Sequence, residues 1–366
     1  MQKEPENVKE LRHGYTTGAN ATAGTKAALT ALITGEKQTE ATITLPIGQD
    51  VTFTLENCHL HEKSATAELI KDGGDDPDAT HGALIQVTVS WADEPGIHLD
   101  GGKGVGRVTK EGLPIPVGEA AINPVPRKMI KEVAQEVLME YGITRGVKII
   151  VSVPDGEEIA KKTLNGRLGI IGGISILGTR GIVVPFSHAS YKASIAQALS
   201  VARAAGIDHV VITTGGRSEK YGMKQYPDLP IESFIEMGDF IGFTLKLCKN
   251  KGMKKVSMVG MMGKFSKIAQ GVMMVHARRS SIDFNFLAEV AEESGADEAL
   301  LQKIREANTA SQVGDMMLEN GHTQFFERIC QYCNAAALKE VRGGLEIETS
   351  LYTLKGKFLG KAGTSS

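Results

Sequence analysis

Glycine is the residue that most constrains how this chain can fold. The sequence has 42 glycines in 366 residues, about 11%, where a typical protein has about 7%. Glycine weakens helix and strand interiors, but it lets the backbone turn with positive φ or approach a ligand closely. A folded chain with this composition therefore predicts many tight turns, and several of them are expected to form a binding site.

Composition excludes several classes of protein. Lys and Arg number 41 against 43 Asp and Glu, a net charge of −2, which does not suit a protein that coats nucleic acid. There is no apolar run long enough to span a bilayer, and the polar amino terminus lacks a signal-peptide core. With 42% hydrophobic residues and a mean hydropathy of −0.10, the chain is predicted to be globular and cytoplasmic, without nucleic-acid or membrane partners.

The four cysteines predict neither a disulfide framework nor a metal centre. They are few and scattered, whereas the cysteines of secreted disulfide-rich domains are numerous and closely spaced. Cys330 and Cys333 have a redox or metal spacing, but zinc needs four ligands and no second pair exists. We therefore predict no protein-bound metal.

The length predicts two domains, and the first, residues 1–143, has an α+β pattern. An alanine-rich helix is predicted over Ala19–Ile33 with Gly35 closing it, and an amphipathic helix from Pro124 to Gly142. Short alternating segments predict four strands: Ala41–Leu45, Val51–Leu55, Ala65–Ile70 and Leu84–Trp91. We expect this domain to face the substrate.

The second domain, residues 144–366, shows a different pattern. Val147–Val153, His209–Thr213 and Lys255–Gly260 are apolar runs typical of buried parallel strands, and glycine turns and helices follow them. This rhythm predicts a doubly wound α/β domain. Helices are expected from Ile282 to Leu338, then a closing strand at Leu345–Leu354 and a loose carboxyl terminus.

Glycine-rich turns supply the candidate cofactor site. In a doubly wound sheet, ligands lie outside the carboxyl ends of the strands. Glycine there lets the backbone approach a ligand closely, and the free N–H groups at a helix N-terminus bind its anionic groups. The Val259–Ser266 turn is not a P-loop, because Met258 stands where its first glycine is required. Ordinary tight connections are the alternative interpretation. The candidate cofactor-binding residues are Gly169, Gly172, Gly173, Gly178, Thr213, Thr214, Gly215, Gly216, Gly260 and Gly263.

An acidic turn, Asp72–His81, supplies candidates for proton transfer. Its carboxylates fit no EF-hand spacing, and Gly and Asp also serve ordinary hairpins. Asp76 and His81 are nevertheless candidate acid–base residues, since histidine titrates near neutral pH. Thr16 and Thr17, which precede the alanine-rich helix, could contact a polar ligand or simply cap that helix.

Five long segments resemble the CbiD family over nearly the whole chain. They are LRHGYTTGANATAGTKAAL (11–29), DGGDDPDATHG (72–82), GGKGVGRVTKEGLPIPVGEAAINPVPR (101–127), GEEIAKKTLNGRLGIIGGISILGTRGIV (156–183) and GMMGKFSKIAQG (260–271). The resemblance implies an α+β domain joined to a Rossmann-like domain. It also implies methyl transfer from S-adenosylmethionine to C-1 of cobalt-precorrin-5B, giving cobalt-precorrin-6A in anaerobic cobalamin biosynthesis.

This resemblance also suggests roles for individual residues. Loss of a proton accompanies C-1 methylation, and His81, Asp76 and His276 are the candidate bases. The substrate carries many carboxylates, which guanidinium groups bind in bidentate fashion. The candidate substrate-binding residues are Arg12, Thr16, Thr17, Asp75, Arg107, Arg127, Arg180 and Arg278. The cobalt belongs to the substrate.

Two other functions fit parts of the sequence. A nicotinamide-dependent reductase would need G-x-G-x-x-G and an acidic residue about 20 positions later, and no stretch satisfies this pattern. A tetrapyrrole carrier of the same pathway would bind the intermediate without converting it. Binding of a methyl donor separates the carrier from the enzyme, and homo-oligomerisation is open.

Overall fold

A computed structural model describes residues 10–276 and 280–363. The chain divides into two compact units, Met1–His188 and Ala189–Ser366. Within the described residues there are eleven helices and several sheets, which confirms the predicted mixture of helix and strand. None of these helices has both the length and the apolar character needed to cross a membrane.

From residue 10 to residue 188, the first unit contains three helices and thirteen strands, many of them very short. The helices are α1 (Thr17–Thr34), α2 (Pro124–Glu140) and α3 (Gly156–Ala160). The strands are β1 (Gly14–Tyr15), β2 (Glu40–Thr44), β3 (Asp50–Thr54), β4 (Asn57–Leu60), β5 (Ser64–Ile70), β6 (Leu84–Ala92), β7 (Ile97–Gly101), β8 (Gly104–Val105), β9 (Arg107–Val108), β10 (Gly146–Ser152), β11 (Ile170–Ile171), β12 (Gly173–Ile174) and β13 (Ile182–Val183).

Helix α1 packs on a five-stranded sheet of order β4-β5-β6-β10-β7. The side chain of Thr16 caps the helix by accepting from the Ala19 amide, and Gly35 ends it in the left-handed conformation, as the sequence predicted. Its small side chains allow close approach: a β-carbon on Gly24 would lie 2.8 Å from Val87. The predicted helix and strands of this region are thereby confirmed, with ends shifted by one or two residues.

Strand β10 forms where an apolar strand was predicted, but its sheet is not the expected one. It pairs antiparallel with β6 and parallel with β7, so the assignment of Val147–Val153 to a parallel sheet of the second domain is wrong. In β10, Val147, Ile149 and Val151 are buried whereas Lys148 is exposed. The strand therefore has one buried face, as antiparallel sheets allow, and is not buried on both faces as parallel strands usually are. Because this strand and the segment after it pair inside the first unit, the division falls after His188 rather than at residue 143.

The second unit is built around a sheet of order β15-β14-β16-β17-β18, parallel except for the last pair. Its strands are β14 (His209–Thr213), β15 (Phe234–Glu236), β16 (Lys255–Met261), β17 (Glu346–Tyr352) and β18 (Phe358–Gly363). Its helices are α4 (His188–Ala204), α5 (Gly216–Gln225), α6 (Ile241–Asn250), α7 (Met262–Ala269), α8 (Phe284–Glu292), α9 (Glu298–Arg305), α10 (Ala310–Glu319) and α11 (Gln324–Val341), with a short 3-10 turn at Ile231–Ser233.

Helices cover both faces of this sheet. Val211 and Val259 pack with side chains of α5 on one face, whereas Val210 and Ile212 join the larger core with α4, α6, α7 and α11 on the other. The carboxyl end differs from prediction: β17 lies inside the sheet, and Phe358–Gly363, expected to be mostly loose, forms its antiparallel edge strand. Phe358–Gly363 pairs with β17, and without this pairing β17 would expose an unpaired strand edge.

Candidate functional site

Two glycine-containing segments of the first unit lie against each other. A β-carbon on Gly14 would meet the backbone of Gly73 at 2.1 Å, and one on Gly74 would meet the carbonyl oxygen of Arg12 at 2.3 Å. Only glycine permits so close an approach. The amino-terminal motif and the acidic turn, 60 residues apart in sequence, therefore form one structural group.

Arg12 and the carboxylates of the turn hold this group together. Arg12 forms a bidentate ion pair with Asp72, and the hydrogen bond from Arg12 is the main reason that the pKa of Asp72 falls to about 2. The side chain of Asp75 accepts from the backbone N–H of Arg12 at 2.6 Å. Arg12 and Asp75, both predicted to bind substrate, are thus already engaged with the protein.

A buried ion pair anchors the other end of the turn. Lys71 is 1% exposed, and its Nζ donates to Oδ2 of Asp78 at 2.6 Å. Burial raises the pKa of Asp78, but the charge and hydrogen bond of Lys71 more than offset this, and the net pKa is lowered. The backbone N–H and hydroxyl of Thr80 both donate to the other carboxylate oxygen. The turn is therefore fixed by its own charges.

The hydrogen bonding of His81 determines what its ring can offer. The backbone N–H of Gly73 donates to Nδ1 of His81 at 3.0 Å. When the ring is neutral, its proton is therefore on Nε2. Since the side chain is 53% exposed, the ring presents an N–H donor to its surroundings rather than a free basic nitrogen.

Asp76 has the features of a base. Its Oδ1 accepts from the backbone N–H of Phe186 at 2.8 Å, and its side chain makes no other hydrogen bond or ion pair within the described residues. Burial raises the pKa of Asp76, and the nearby charge of Asp78 adds to this. Phe186 itself has a φ of 53°, a left-handed conformation that is uncommon for a bulky residue.

The two threonines before α1 are structural in this geometry. The hydroxyl of Thr16 caps the helix, and that of Thr17 accepts from the backbone N–H of Leu177 at 2.9 Å. Both threonines are buried. A β-carbon on Gly178 would meet the side chain of Thr16 at 2.4 Å. Thr16 is therefore the helix cap, and the Thr17 hydroxyl holds the backbone at Leu177. Contact of either threonine with substrate stays a prediction.

The predicted substrate arginines fall into three groups. Arg107 pairs with Asp100 at 2.9 Å and Arg127 with Glu119 at 3.1 Å, so both already have carboxylate partners. Arg180 is exposed and forms no ion pair or hydrogen bond within residues 10–276 and 280–363. Arg278 lies outside the described residues. Arg180 is thus the predicted arginine best able to receive a new carboxylate.

The glycines between 169 and 178 belong to the first unit and not to the doubly wound domain to which the sequence assigned them. A β-carbon on Gly173 would meet the carbonyl oxygen of Gly104 at 2.0 Å, and one on Gly169 would meet Lys110 at 2.4 Å. Close backbone and side-chain approach explains these glycines without a ligand. Gly172 differs, since a β-carbon there would meet nothing within 4 Å.

The predicted turns of the second unit do meet at one sheet edge. Thr213 ends β14, and Thr214, Gly215 and Gly216 follow it. Gly260 lies near the end of β16, the neighbouring parallel strand, and Gly263 lies in the first turn of α7. Added β-carbons on Gly216 and Gly263 would meet nothing within 4 Å, so these turns leave open space.

Gly260 is an exception among them. A β-carbon there would lie 1.9 Å from the ring of Phe265, so packing of that ring accounts for the glycine. Nearby, Lys264 pairs with Asp239 at 2.9 Å and its Nζ donates to the carbonyl oxygen of Thr214 at 3.4 Å. This lysine ties the turn after β14 to the segment after β15.

Glu236, the last residue of β15, was not among the predicted site residues. A β-carbon on Gly215 would be 3.7 Å from Oε1 of Glu236, and the Tyr191 hydroxyl donates to the same oxygen at 3.5 Å. The available signal was spacing, because Glu236 follows Gly215 by 21 residues. It was overlooked since the turn lacks the full G-x-G-x-x-G pattern.

The third candidate base, His276, belongs to the second unit. Its carbonyl oxygen accepts from the N–H and hydroxyl of Ser280 at 3.2 and 3.1 Å. Lys267, nearly buried, donates to the carbonyl oxygen of Ser280 at 2.7 Å. Burial lowers the pKa of this lysine. These contacts organise the chain after α7, and they assign no proton-transfer role to His276.

Cys330 and Cys333 are buried thiols in α11. Burial raises the pKa of both, and Cys333 donates to the carbonyl oxygen of Phe265 at 3.3 Å. Within the part of the chain that the structure describes, no three His, Cys, Asp or Glu residues are grouped as a metal ion requires. The thiols belong to the core.

The fold defines a class: a mixed α/β protein of two compact units, the second with glycine turns at the edge of a largely parallel sheet. Comparison with known proteins identifies the family. The sequence model of CbiD matches residues 4–185, and that of the CbiD C-terminal domain matches residues 274–363. The chain belongs to the CbiD family, which confirms the resemblance.

Individual relatives agree with this assignment. A cobalt-precorrin-5B C(1)-methyltransferase of Geobacillus sp. (strain WCH70) is 70% identical over 357 residues, 98% of each chain. The protein of the same name from Priestia megaterium is 68% identical over 362 residues, 99% of each. A crystal structure of the cobalamin biosynthesis protein CbiD from Archaeoglobus fulgidus is 30% identical, covering 73% of this chain and 87% of that one, with a TM-score of 0.39.

Proposed function

We propose that this chain transfers a methyl group from S-adenosylmethionine to C-1 of cobalt-precorrin-5B and forms cobalt-precorrin-6A. The observation that carries the proposal is 70% identity, over 98% of both chains, to a relative named as the C(1)-methyltransferase of that substrate. The activity is that of a transferase, and the enzyme is therefore favoured over a carrier that only binds the tetrapyrrole. Action in the cytoplasm stays a prediction.

The donor fits the second unit best. Its sheet edge has open space at Gly216 and Gly263, and Thr213 is fully buried with a hydroxyl that has no hydrogen-bond partner within the described residues. The parallel strands with helices on both faces support a Rossmann-like binding site at this edge. When bound, the sulfonium supplies an already activated methyl group. The residues of the turns then have only to bind and orient it.

The first unit supplies the groups that face the substrate. Arg180 is exposed and unpaired among the described residues, and a guanidinium suits the acetate and propionate carboxylates of a tetrapyrrole. Binding through this residue orients the ring without a protein-bound metal, since the cobalt arrives with the substrate. Arg12, Arg107 and Arg127 instead hold the unit's own carboxylates.

Asp76 is the base that this geometry favours. The C-1 carbon donates an electron pair to the methyl carbon, the carbon–sulfur bond breaks with its electrons on sulfur, and the macrocycle loses one proton. Asp76 can accept that proton at Oδ2, because Oδ1 is held by the Phe186 amide and burial raises the pKa. His81, whose Nδ1 already accepts a hydrogen bond, is better suited to donate from Nε2.

The experiment measures S-adenosylhomocysteine formation from cobalt-precorrin-5B under anaerobic conditions across a range of pH. Asp76→Asn keeps an oxygen for the Phe186 amide, and we expect kcat to fall about 10²- to 10⁴-fold. The matched control is Asp93→Asn, the same change at an exposed aspartate of the same unit. An Asp76→Asn enzyme with full activity at every pH would remove the base assignment. If the wild type forms no product, the proposed function is wrong.

A further inference from the structure

We infer that Glu236 binds the ribose hydroxyls of the nucleoside part of the methyl donor, an inference that rests on the proposed function. Glu236 is the last residue of β15, so it lies at the carboxyl edge of the parallel sheet. The chain leaves β14 for β15 on one side and later returns to β16 on the other. In open α/β sheets, ligands bind where the strand order reverses in this way.

The Glu236 carboxylate lies directly beside the glycine turn. A β-carbon on Gly215 would be 3.7 Å from its Oε1, whereas one on Gly216 would meet nothing within 4 Å. The turn therefore has the carboxylate on one side and open space at its next residue. A nucleoside that entered along this turn would bring its sugar within reach of Glu236.

The hydrogen-bonding capacity of this carboxylate is largely unused. Its one side-chain partner within the described residues is the Tyr191 hydroxyl, at a long 3.5 Å from Oε1. Burial and the charge of Glu236 raise the pKa of Tyr191, so the tyrosine remains a donor. A half-buried carboxylate with free lone pairs matches a vicinal diol, which offers two O–H donors.

The neighbouring cation, Lys264, already has an ion-pair partner other than Glu236. Lys264, the cation that bridges the turns after β14 and β15, pairs with Asp239 at 2.9 Å. Glu236 thus has no ion pair within the described part of the chain. The spacing provides a second, independent indication: Glu236 follows Gly215 by 21 residues. In dinucleotide-binding folds, an acidic residue about 20 positions after the glycine turn binds a ribose hydroxyl.

The test measures binding of S-adenosylhomocysteine, and of its 2′-deoxyribose analogue, by isothermal titration calorimetry. We expect Glu236→Gln to weaken S-adenosylhomocysteine binding about 10- to 100-fold, the range for a hydrogen bond to a charged group. The wild type should bind the deoxy analogue more weakly by a similar factor, and Glu236→Gln should bind the two ligands almost equally. The matched control is Glu292→Gln, at an exposed glutamate of α8, which should bind as the wild type does.

The outcomes separate this inference from the proposed function. If the wild type binds S-adenosylhomocysteine but does not discriminate against the deoxy analogue, the ribose assignment is overturned while the donor stands. Equal discrimination by the wild type and Glu236→Gln overturns it as well. If the wild type binds no S-adenosylhomocysteine, both fail. The wild-type comparison between ligands needs no variant, so a lack of discrimination overturns the assignment even if Glu236→Gln folds poorly.

Discussion

Breaking the buried ion pair of Lys71 and Asp78 should strongly destabilise the first unit. Removing one member of a buried pair leaves an uncompensated charge, which costs about 3–5 kcal/mol. Lys71 is 1% exposed and Asp78 is 21% exposed, so we expect Asp78→Asn to lose about 3 kcal/mol, the lower end of that range. With a urea m-value of about 2 kcal/mol per molar, the unfolding midpoint should fall by about 1.5 M.

Trp91 provides the assay, because it is the one tryptophan of the chain and lies in β6 of the first unit. Its fluorescence during urea titration reports the unfolding of the sheet that carries the acidic turn. The double variant Lys71→Met with Asp78→Asn removes the buried charge and should recover at least half of the lost stability. Glu158→Gln is the matched control: Lys161 and Glu158 are also 2.6 Å apart, but both are exposed, and the midpoint should not move.

The pH dependence has a definite sign. The pKa of Asp78 is lowered in the folded chain, so its contribution is present above the unfolded value of about 3.9 and is lost as pH falls through the folded value. The difference between wild type and Asp78→Asn should therefore shrink below pH 4. An unchanged midpoint for Asp78→Asn at neutral pH, or a double variant less stable than the single one, would refute the reasoning.

Three further predictions concern other parts of the molecule. Glu348 is a nearly buried carboxylate that accepts from Tyr226; burial raises its pKa, but its hydrogen bonds lower it to about 2. Glu348→Gln should therefore lower the free energy of unfolding by about 2 kcal/mol above pH 4.5, and by less as the pH falls toward 2. Circular dichroism during urea titration measures this, and a loss of stability that does not depend on pH would contradict it. Gly178→Ala should cost at least about 2 kcal/mol in the tryptophan-monitored titration, because the new methyl group would lie 2.4 Å from Thr16; wild-type stability would contradict the packing argument. Arg180→Ala should raise KM for the tetrapyrrole about 10-fold with little change in kcat, and an unchanged KM would remove its binding role.

Locally encoded features were predictable from the sequence. The cap at Thr16, the left-handed Gly35 and the alanine-rich face specify α1 over a single continuous segment, and local signals suffice for such elements. Strand β14 was also predicted correctly. The acidic turn of the first unit and the glycine turns of the second were found because Gly and Asp leave a recognisable local pattern.

Nonlocal features were not predictable. Whether β10 pairs with parallel or antiparallel neighbours depends on strands far away in the sequence. The pairing of Arg12, a predicted substrate ligand, with Asp72, 60 residues away, likewise forms only in the folded chain. Glu236 was missed because the turn after β14 lacks the full G-x-G-x-x-G pattern, and only the folded chain places the carboxylate beside Gly215.

The measurement that tests the central claim most directly uses S-adenosylmethionine with a trideuterated methyl group. Purified chain and cobalt-precorrin-5B are incubated with it anaerobically, and the tetrapyrrole is analysed by tandem mass spectrometry. We predict the gain of one trideuteromethyl group, located by fragmentation at C-1, with one S-adenosylhomocysteine formed for each product. A tetrapyrrole of unchanged mass that stays bound to the chain, or a label at any other carbon, would contradict the account.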